Sequence, residues 1–284
     1  MKILFLAAYF IPERAASSYL SVNRNQAFAD AGFNMVVYTP IPTRGVSDEI
    51  RQEYKKRKLE KLFDDKMIVH RFALMREGSN SIKRAFRYVL NCIKLCCFGI
   101  FAKDARSCNI MFISSTPPIQ GAMAALIKKC RKIPFVYNLQ DIFPDSLVGT
   151  GMTKKGSFLW KIGRMIENFT YRNADKIIVI SEDFKKNIMA KGVPEEKIEV
   201  IYNWIDEKAV VPIARENNPL YEELGLNREK FNVVYAGNLG NAQNIDVIID
   251  SAKELVENKN IEFIIFGSGG LKEQFVKKVK DYGI

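Results

Sequence analysis

Three stretches of the chain place chemically active residue types at the ends of predicted strands. In VYAGNLGNAQNID, Val234 to Asp246, the glycines Gly237 and Gly240 alternate with the amides Asn238 and Gln243. In FGSGGLK, Gly267 and Gly269 precede Lys272. Glycine removes the side chain, so backbone N–H groups and a following helix N-terminus can approach an anion. Each turn alone also reads as a tight strand-to-helix connection. Two of them on successive parallel strands converge on one crevice, which points to a phosphate-bearing ligand. In NLQDIFPDS, Asp141 follows an apolar run and Pro144 ends the local regularity. A carboxylate there can orient a hydroxyl or accept its proton. Its other reading is a turn or capping aspartate, and Asp145, directly before Ser146, reads as a cap.

The elements that must position these residues alternate along the chain. KILFLAAY is followed by a loop, a helix over residues 18–31 and Gly32 as a stop. NMVVYT leads into a charged stretch from about 44 to 66, and MIVHRFAL precedes a long helix from about 81 to 103. NIMFIS, a helix opened by Pro117-Pro118, PFVYNL, a helix around Trp160, DKIIVIS, a helix over 182–191 and KIEVIYN follow. Near-continuous apolar runs suit strands buried on both faces, and their alternation with helices suits a parallel sheet. Residues 204–230, with Pro212 and Pro219, read as a linker carrying a short helix at 220–224. NVVYAG, a helix over 243–258, IEFIIFG and a helix over 271–282 then begin a second βαβ unit. The expected class is α/β: a complete Rossmann-like domain over residues 1–203, a linker, and a partial second Rossmann-like domain over 231–284. So short a final segment has little core of its own. It is expected to pack on the first domain, to pack on a second copy as a dimer, or to stay partly mobile.

Composition narrows the partners. A formal charge of +11 implies anionic company: phosphorylated ligands, an acidic membrane surface or nucleic acid. Basic residues are interspersed with acidic ones and no nucleic-acid-binding motif is present, so nucleic acid is not expected. The five cysteines include no CxxC pair, and His70 is the only histidine. These argue for free thiols and against a metal site. MKILFLAAYFIP could pass for a signal peptide, with one lysine, a short apolar run and small residues at Ala15, Ala16 and Ser17, but its ending in Tyr-Phe-Ile-Pro-Glu and the helix-like segment after it suit a buried first strand better. No run reaches the ~20 apolar residues of a spanning helix; the nearest, Tyr88 to Ala102, is interrupted by Asn91 and Lys94.

Four stretches together resemble the GT-B glycosyltransferases of family 4, and within them the WbuB-type enzymes of bacterial surface polysaccharides. They are KILFLAAYFIPE with its small-residue turn, VYNLQDIFPDSLVGTG, ADKIIVISEDFKKNIMAKGVPEEKIEVIYNWID and VVYAGNLGNAQNIDVIIDSAKEL. The resemblance covers the whole chain. It departs from the family in lacking the usual glycines after the first strand. Asn238 and Gln243 stand where many members carry an Arg and a Lys. Amide donors and backbone N–H groups would replace that positive clamp, with Lys272 as a further contributor.

The resemblance implies two Rossmann-like domains facing a cleft, a metal-independent retaining transfer, and no cofactor. It implies a nucleotide-diphosphate sugar, UDP with an N-acetylated deoxy-hexosamine, on Gly237, Asn238, Gly240, Gln243, Gly267, Gly269 and Lys272. The acceptor would be a polyprenyl-diphosphate-linked glycan for O-antigen or capsule, with Tyr9, Pro12, Ser17 and Asn138 on its side and Asp141 holding a reacting hydroxyl. The protein would be cytoplasmic, resting on the acidic inner leaflet through Lys83, Arg84, Arg87, Phe98 and Phe101, where a basic, apolar helix suits acidic lipid; a core helix with a solvated end is the other reading. Later parts of the family's donor pocket would follow residue 284. This chain is therefore expected to be inactive alone and to bind donor no better than about millimolar. The competing readings are a non-catalytic remnant or binding module and, with one histidine against it, a UDP-sugar epimerase of the same fold.

Overall fold

The computed structural model describes residues 1–13, 18–76 and 81–284. They form two units, residues 1–148 with 153–205 and residues 149–152 with 206–284.

The first unit is built on one eight-stranded sheet. Its strands are β1 (Lys2–Leu6), β2 (Asn34–Pro40), β3 (Leu59–Leu62), β4 (Met67–Phe72), β5 (Ile110–Ser114), β6 (Phe135–Leu139), β7 (Lys176–Val179) and β8 (Ile198–Val200). Their order is β3-β4-β2-β1-β5-β6-β7-β8. All neighbours are parallel except β3 and β4. The central strands are apolar on both faces because both faces are covered. Leu4, Leu6, Val36 and Met111 pack with Leu95, Ile127 and Tyr171 of the helices on one side. Ile3, Phe5, Met35 and Val37 pack with Phe28 and Ala29 on the other.

The helices of this unit are α1 (Ser18–Asp30), α2 (Asp48–Lys56), α3 (Ser81–Phe101), α4 (Lys103–Arg106), α5 (Gln120–Arg131), α6 (Asp145–Gly149), α7 (Phe158–Asn173) and α8 (Glu182–Met189). Serine sets three of their starts. Ser47, Ser157 and Ser181 lie in extended backbone just before α2, α7 and α8, and each hydroxyl accepts an N–H from the first turn. The charged stretch after β2 resolves into α2 and β3. β3 is an antiparallel edge strand alternating exposed and half-buried residues, and the charged Glu60 and Lys61 suit such an edge.

The second unit contains α9 (Leu220–Glu223), β9 (Phe231–Asn238), α10 (Ile245–Glu254), β10 (Ile261–Ser268) and α11 (Lys272–Tyr282). β9 and β10 are parallel, paired from Phe231 with Ile261 to Asn238 with Ser268. Leu239, Ile245, Ile249 and Phe275 form its small buried core. Lys278 bridges α11 to Asp246 and Asp250 of α10 at 2.6 and 2.7 Å.

Candidate functional site

The sheet of the first unit changes its direction of growth at β1, with β2 and β4 on one side and β5 to β8 on the other. Ligands of such sheets bind outside the carboxyl ends of the strands at that switch. A cavity of about 490 Å³ opens there, bounded by the loop after β1 and by the ends of β5 and β6. This is the size range of small-ligand pockets. Register brings its polar floor together, because Ser114 of β5 pairs with Asn138 of β6.

One wall is fixed by Glu13. Only 6% exposed, its carboxylate accepts N–H groups from Phe10 at 3.2 Å, Thr43 at 2.8 Å and Arg44 at 3.0 Å. The loop after β1 is thereby tied to the segment after β2. Tyr9 on this loop meets the Tyr88 hydroxyl at 3.1 Å, and the Arg44 and Arg87 guanidinium groups lie over its ring at 5.3 and 5.5 Å.

The acceptor-side expectations divide. Tyr9 and Asn138 line the cavity, Asn138 accepting the Gln140 amide at 3.1 Å. Pro12 does not line it, although its neighbours Ile11 and Glu13 do. Ser17 lies outside the described residues. Asp141 is exposed just beyond β6 and is not a lining residue; its Oδ2 accepts the Ser146 hydroxyl of α6 at 3.2 Å. Asp145 is bound by Lys191 at 2.7 Å. Partial burial opposes its ionisation, but the Lys191 contact prevails and holds the carboxyl below its ordinary value.

Reading the sequence alone missed Glu13, Arg24 and Gln120 as cavity residues. Arg24 and Asn25 of α1 face the cavity, as does Gln120 at the start of α5. Burial draws the Arg24 guanidinium down to about 10. The one available signal was an Arg-Asn pair in the middle of a helix otherwise placed against the sheet.

In the second unit the turn residues come together. Asn238 donates its side-chain amide to Gln243 at 3.1 Å, closing the turn after β9. A Cβ on Gly267 would collide with the Gly237 carbonyl, and one on Gly269 with that of Leu239. These two glycines let the neighbouring turns pack backbone against backbone. A Cβ on Gly240 would lie 2.7 Å from the Asn238 amide nitrogen. Lys272 is exposed at the start of α11.

Helix α3 corrects the membrane-contact expectation at two residues. Arg87 is 0% exposed; it donates to the Met75 carbonyl at 3.0 Å and the Thr43 hydroxyl at 3.1 Å. Phe98 stacks on Tyr38 at 5.0 Å and packs on Phe72 at 5.1 Å. Both side chains turn to the inner face of the helix, Arg87 wholly and Phe98 in part. Lys83 and Phe101 are exposed and Arg84 is half-buried. With Phe101, the outward Phe86, Val89 and Ile93 make an exposed apolar stripe at helical spacing. Among the described residues no helix is long and apolar enough to cross a membrane. Among them, too, no group of three or more His, Cys, Asp or Glu is placed to hold a metal ion.

The family model for Glycosyltransferase Family 4 matches residues 25–209. The chain belongs to glycosyltransferase family 4. Within that family it is similar to "Probable glycosyltransferase WbjE" of Pseudomonas aeruginosa, 28% identical over 200 residues, which are 70% of this chain and 48% of the relative. It is also similar to an Escherichia coli protein described as a colanic acid biosynthesis glycosyl transferase, WcaI, 26% identical over 162 residues, 56% of this chain and 40% of that protein. The chain spans about half the length of the curated relatives it matches. Among solved structures, Anabaena HepE in complex with UDP shares the fold with a TM-score of 0.65 at 15% identity, over 100% of this chain and 66% of that one.

Proposed function

We propose that this family 4 chain supplies the acceptor domain and the opening of the donor domain of a retaining, metal-independent hexosyltransferase. The donor is a UDP-sugar, an N-acetylated deoxy-hexosamine, and the acceptor a polyprenyl-diphosphate-linked glycan of an O-antigen or capsule. The observation that carries this reading is the cavity at the carboxyl ends of the strands where the sheet changes direction. A sugar needs hydroxyl and amide partners there, and Tyr9, Asn138 and Gln140 offer them. Asp141, one residue past that floor, orients the reacting hydroxyl. The turn from Gly237 to Gln243 takes the donor diphosphate through backbone N–H groups and Asn238. Being exposed on two strands only, it is expected to bind UDP no better than about millimolar, near 4 kcal/mol. The outward stripe of α3, beginning beside Lys83, rests on acidic lipid at the inner leaflet, which brings the carrier lipid to the cavity.

Two measurements test the proposal. In a version with a complete donor domain, transfer of label from UDP-sugars to a polyprenyl-diphosphate-linked glycan should retain anomeric configuration and survive chelator. Calorimetry on the 284-residue chain should detect weak UDP binding that Asn238→Ala abolishes. An inverted product, chelator-sensitive transfer, or UDP binding indifferent to Asn238 overturns the corresponding part.

A further inference from the structure

Among the described residues of the first unit, Arg24 is a cation with no carboxylate partner. Arg24 projects from α1 across two neighbouring strands, its guanidinium 5.0 Å from the centre of the Phe5 ring and 4.7 Å from that of Phe112. Those rings sit side by side because Phe5 of β1 pairs with Phe112 of β5. Among the described residues the only acceptor of its N–H groups is Asn25 Oδ1, at 3.3 Å from Nε and 3.0 Å from Nη2. No described carboxylate forms an ion pair with it, whereas Arg71 and Arg164 each have one. A guanidinium keeps its charge, and withdrawing it from water without a counter-ion is costly. Arg24 lines the cavity.

A second unsatisfied group borders the same space. Gln120 is 0% exposed, and its amide donates to the Leu6 carbonyl at 3.2 Å. Among the described residues its Oε1 has no partner. With no accessible surface of its own, Gln120 belongs to the packed wall of the cavity and not to the face a ligand would touch. A half-buried cation without a carboxylate partner, on a cavity that Ser114, Asn138 and Gln140 also line, is complementary to a molecule that is both anionic and hydroxylated.

We propose that Arg24 is the counter-ion for an acidic group of the acceptor, a phosphate or a carboxylate. The assignment rests on the acceptor reading of this cavity and makes Arg24 a specificity-determining residue within it. Cation–aromatic contacts hold the guanidinium in place before the ligand arrives, so the anion meets a pre-oriented fork of donors.

Calorimetry and thermal melts at low, matched ionic strength test this, with inorganic pyrophosphate, glucuronate and glucose as probes on the wild-type chain, Arg24→Met and Arg24→Lys. Pyrophosphate or glucuronate should raise the wild-type melting midpoint while glucose does not. Protection by pyrophosphate identifies a lipid diphosphate as the source of the anion, and protection by glucuronate an acidic sugar. Arg24→Met should weaken the effective anion at least tenfold, with a ligand-free midpoint equal to or above wild type; Arg24→Lys should keep part of the affinity. Failure of both anions to protect wild type overturns the proposal, as does wild-type anion affinity in Arg24→Met. A clearly lower ligand-free midpoint for Arg24→Met would make Arg24 a fold-holding residue and overturn it too. Label transfer by a version with a complete donor domain separates the two levels. Transfer to a neutral acceptor with no anion response leaves the cavity as the acceptor site and removes Arg24 from it. Transfer unaffected by Asn138→Ala removes the acceptor reading and the proposal together.

Discussion

Replacing Glu13 with alanine should loosen the wall of the cavity and destabilise the first unit measurably. The carboxylate is 6% exposed and accepts three backbone N–H groups, two of them at 3.0 Å or less. A hydrogen bond to a charged group contributes about 1.5–3 kcal/mol. Alanine removes all three bonds, but the cavity lets water reach part of the vacated space, so a net loss of about 3 kcal/mol is expected rather than the full sum. In a unit of this size roughly 2–4 °C of melting midpoint accompany each kcal/mol, which gives a fall of about 6–12 °C. Glu13→Gln keeps one carbonyl acceptor and loses the charge, and should fall roughly half as far. Circular dichroism melts of the three proteins measure both values. A midpoint for Glu13→Ala within about 2 °C of wild type would mean that solvent satisfies these N–H groups, and the account of Glu13 as the tie between the two loops would be wrong.

Other outcomes follow from the same geometry. In a version with a complete donor domain, Asp141→Asn should lower turnover at least about tenfold, the loss of one charge-assisted hydrogen bond, while its exposure leaves the melting midpoint unchanged; unaltered turnover returns Asp141 to a turn role with Ser146. Replacing Phe86, Ile93 and Phe101 of α3 with serine should reduce sedimentation with vesicles rich in acidic phospholipid, and Lys83→Glu should reduce it further, by about 1 kcal/mol; equal sedimentation refutes the docking face. Lys191 holds the Asp145 carboxyl below its ordinary value. The stability from this pair is complete above the unfolded value and is lost as pH falls through the lowered folded value. Lys191→Met should therefore be less stable at neutral pH and lose less on acidification, as urea titrations at several pH values would reveal. Burial pushes the thiols of Cys92 and Cys108 up to about 12 and about 11, whereas Cys97 and Cys130 are exposed. Iodoacetamide at pH 8 should label only the exposed pair rapidly in the native protein, and mass spectrometry would detect a breach of that order.

The alternation of strands and helices was legible in the sequence because it is written locally. Unbroken Val, Ile and Phe runs mark strands covered on both faces, and serine, glycine and proline mark their ends within a few residues. The turns at Gly237 and Gly267 and the strand-end position of Asp141 were legible for the same reason. The charged stretch after β2 concealed an edge strand, since β3 is only four residues long and draws its regularity from β4. Strand order was not written locally; it depends on which crossings α3 and α5 make. Helix α3 shows why the face of an element can escape its sequence. Apolar residues occur all round it, so periodicity could not choose between the stripe of Phe86, Ile93 and Phe101 and the face of Arg87 and Phe98. Arg87 turns inward because Met75 and Thr43 wait for it 12 and 44 residues away. The cavity is likewise a product of tertiary structure. Glu13, Arg24, Gln120 and Asn138 are ordinary residues in their own neighbourhoods. They face one space only because β1 lies between β2 and β5 and carries α1 and α5 to the same end of the sheet.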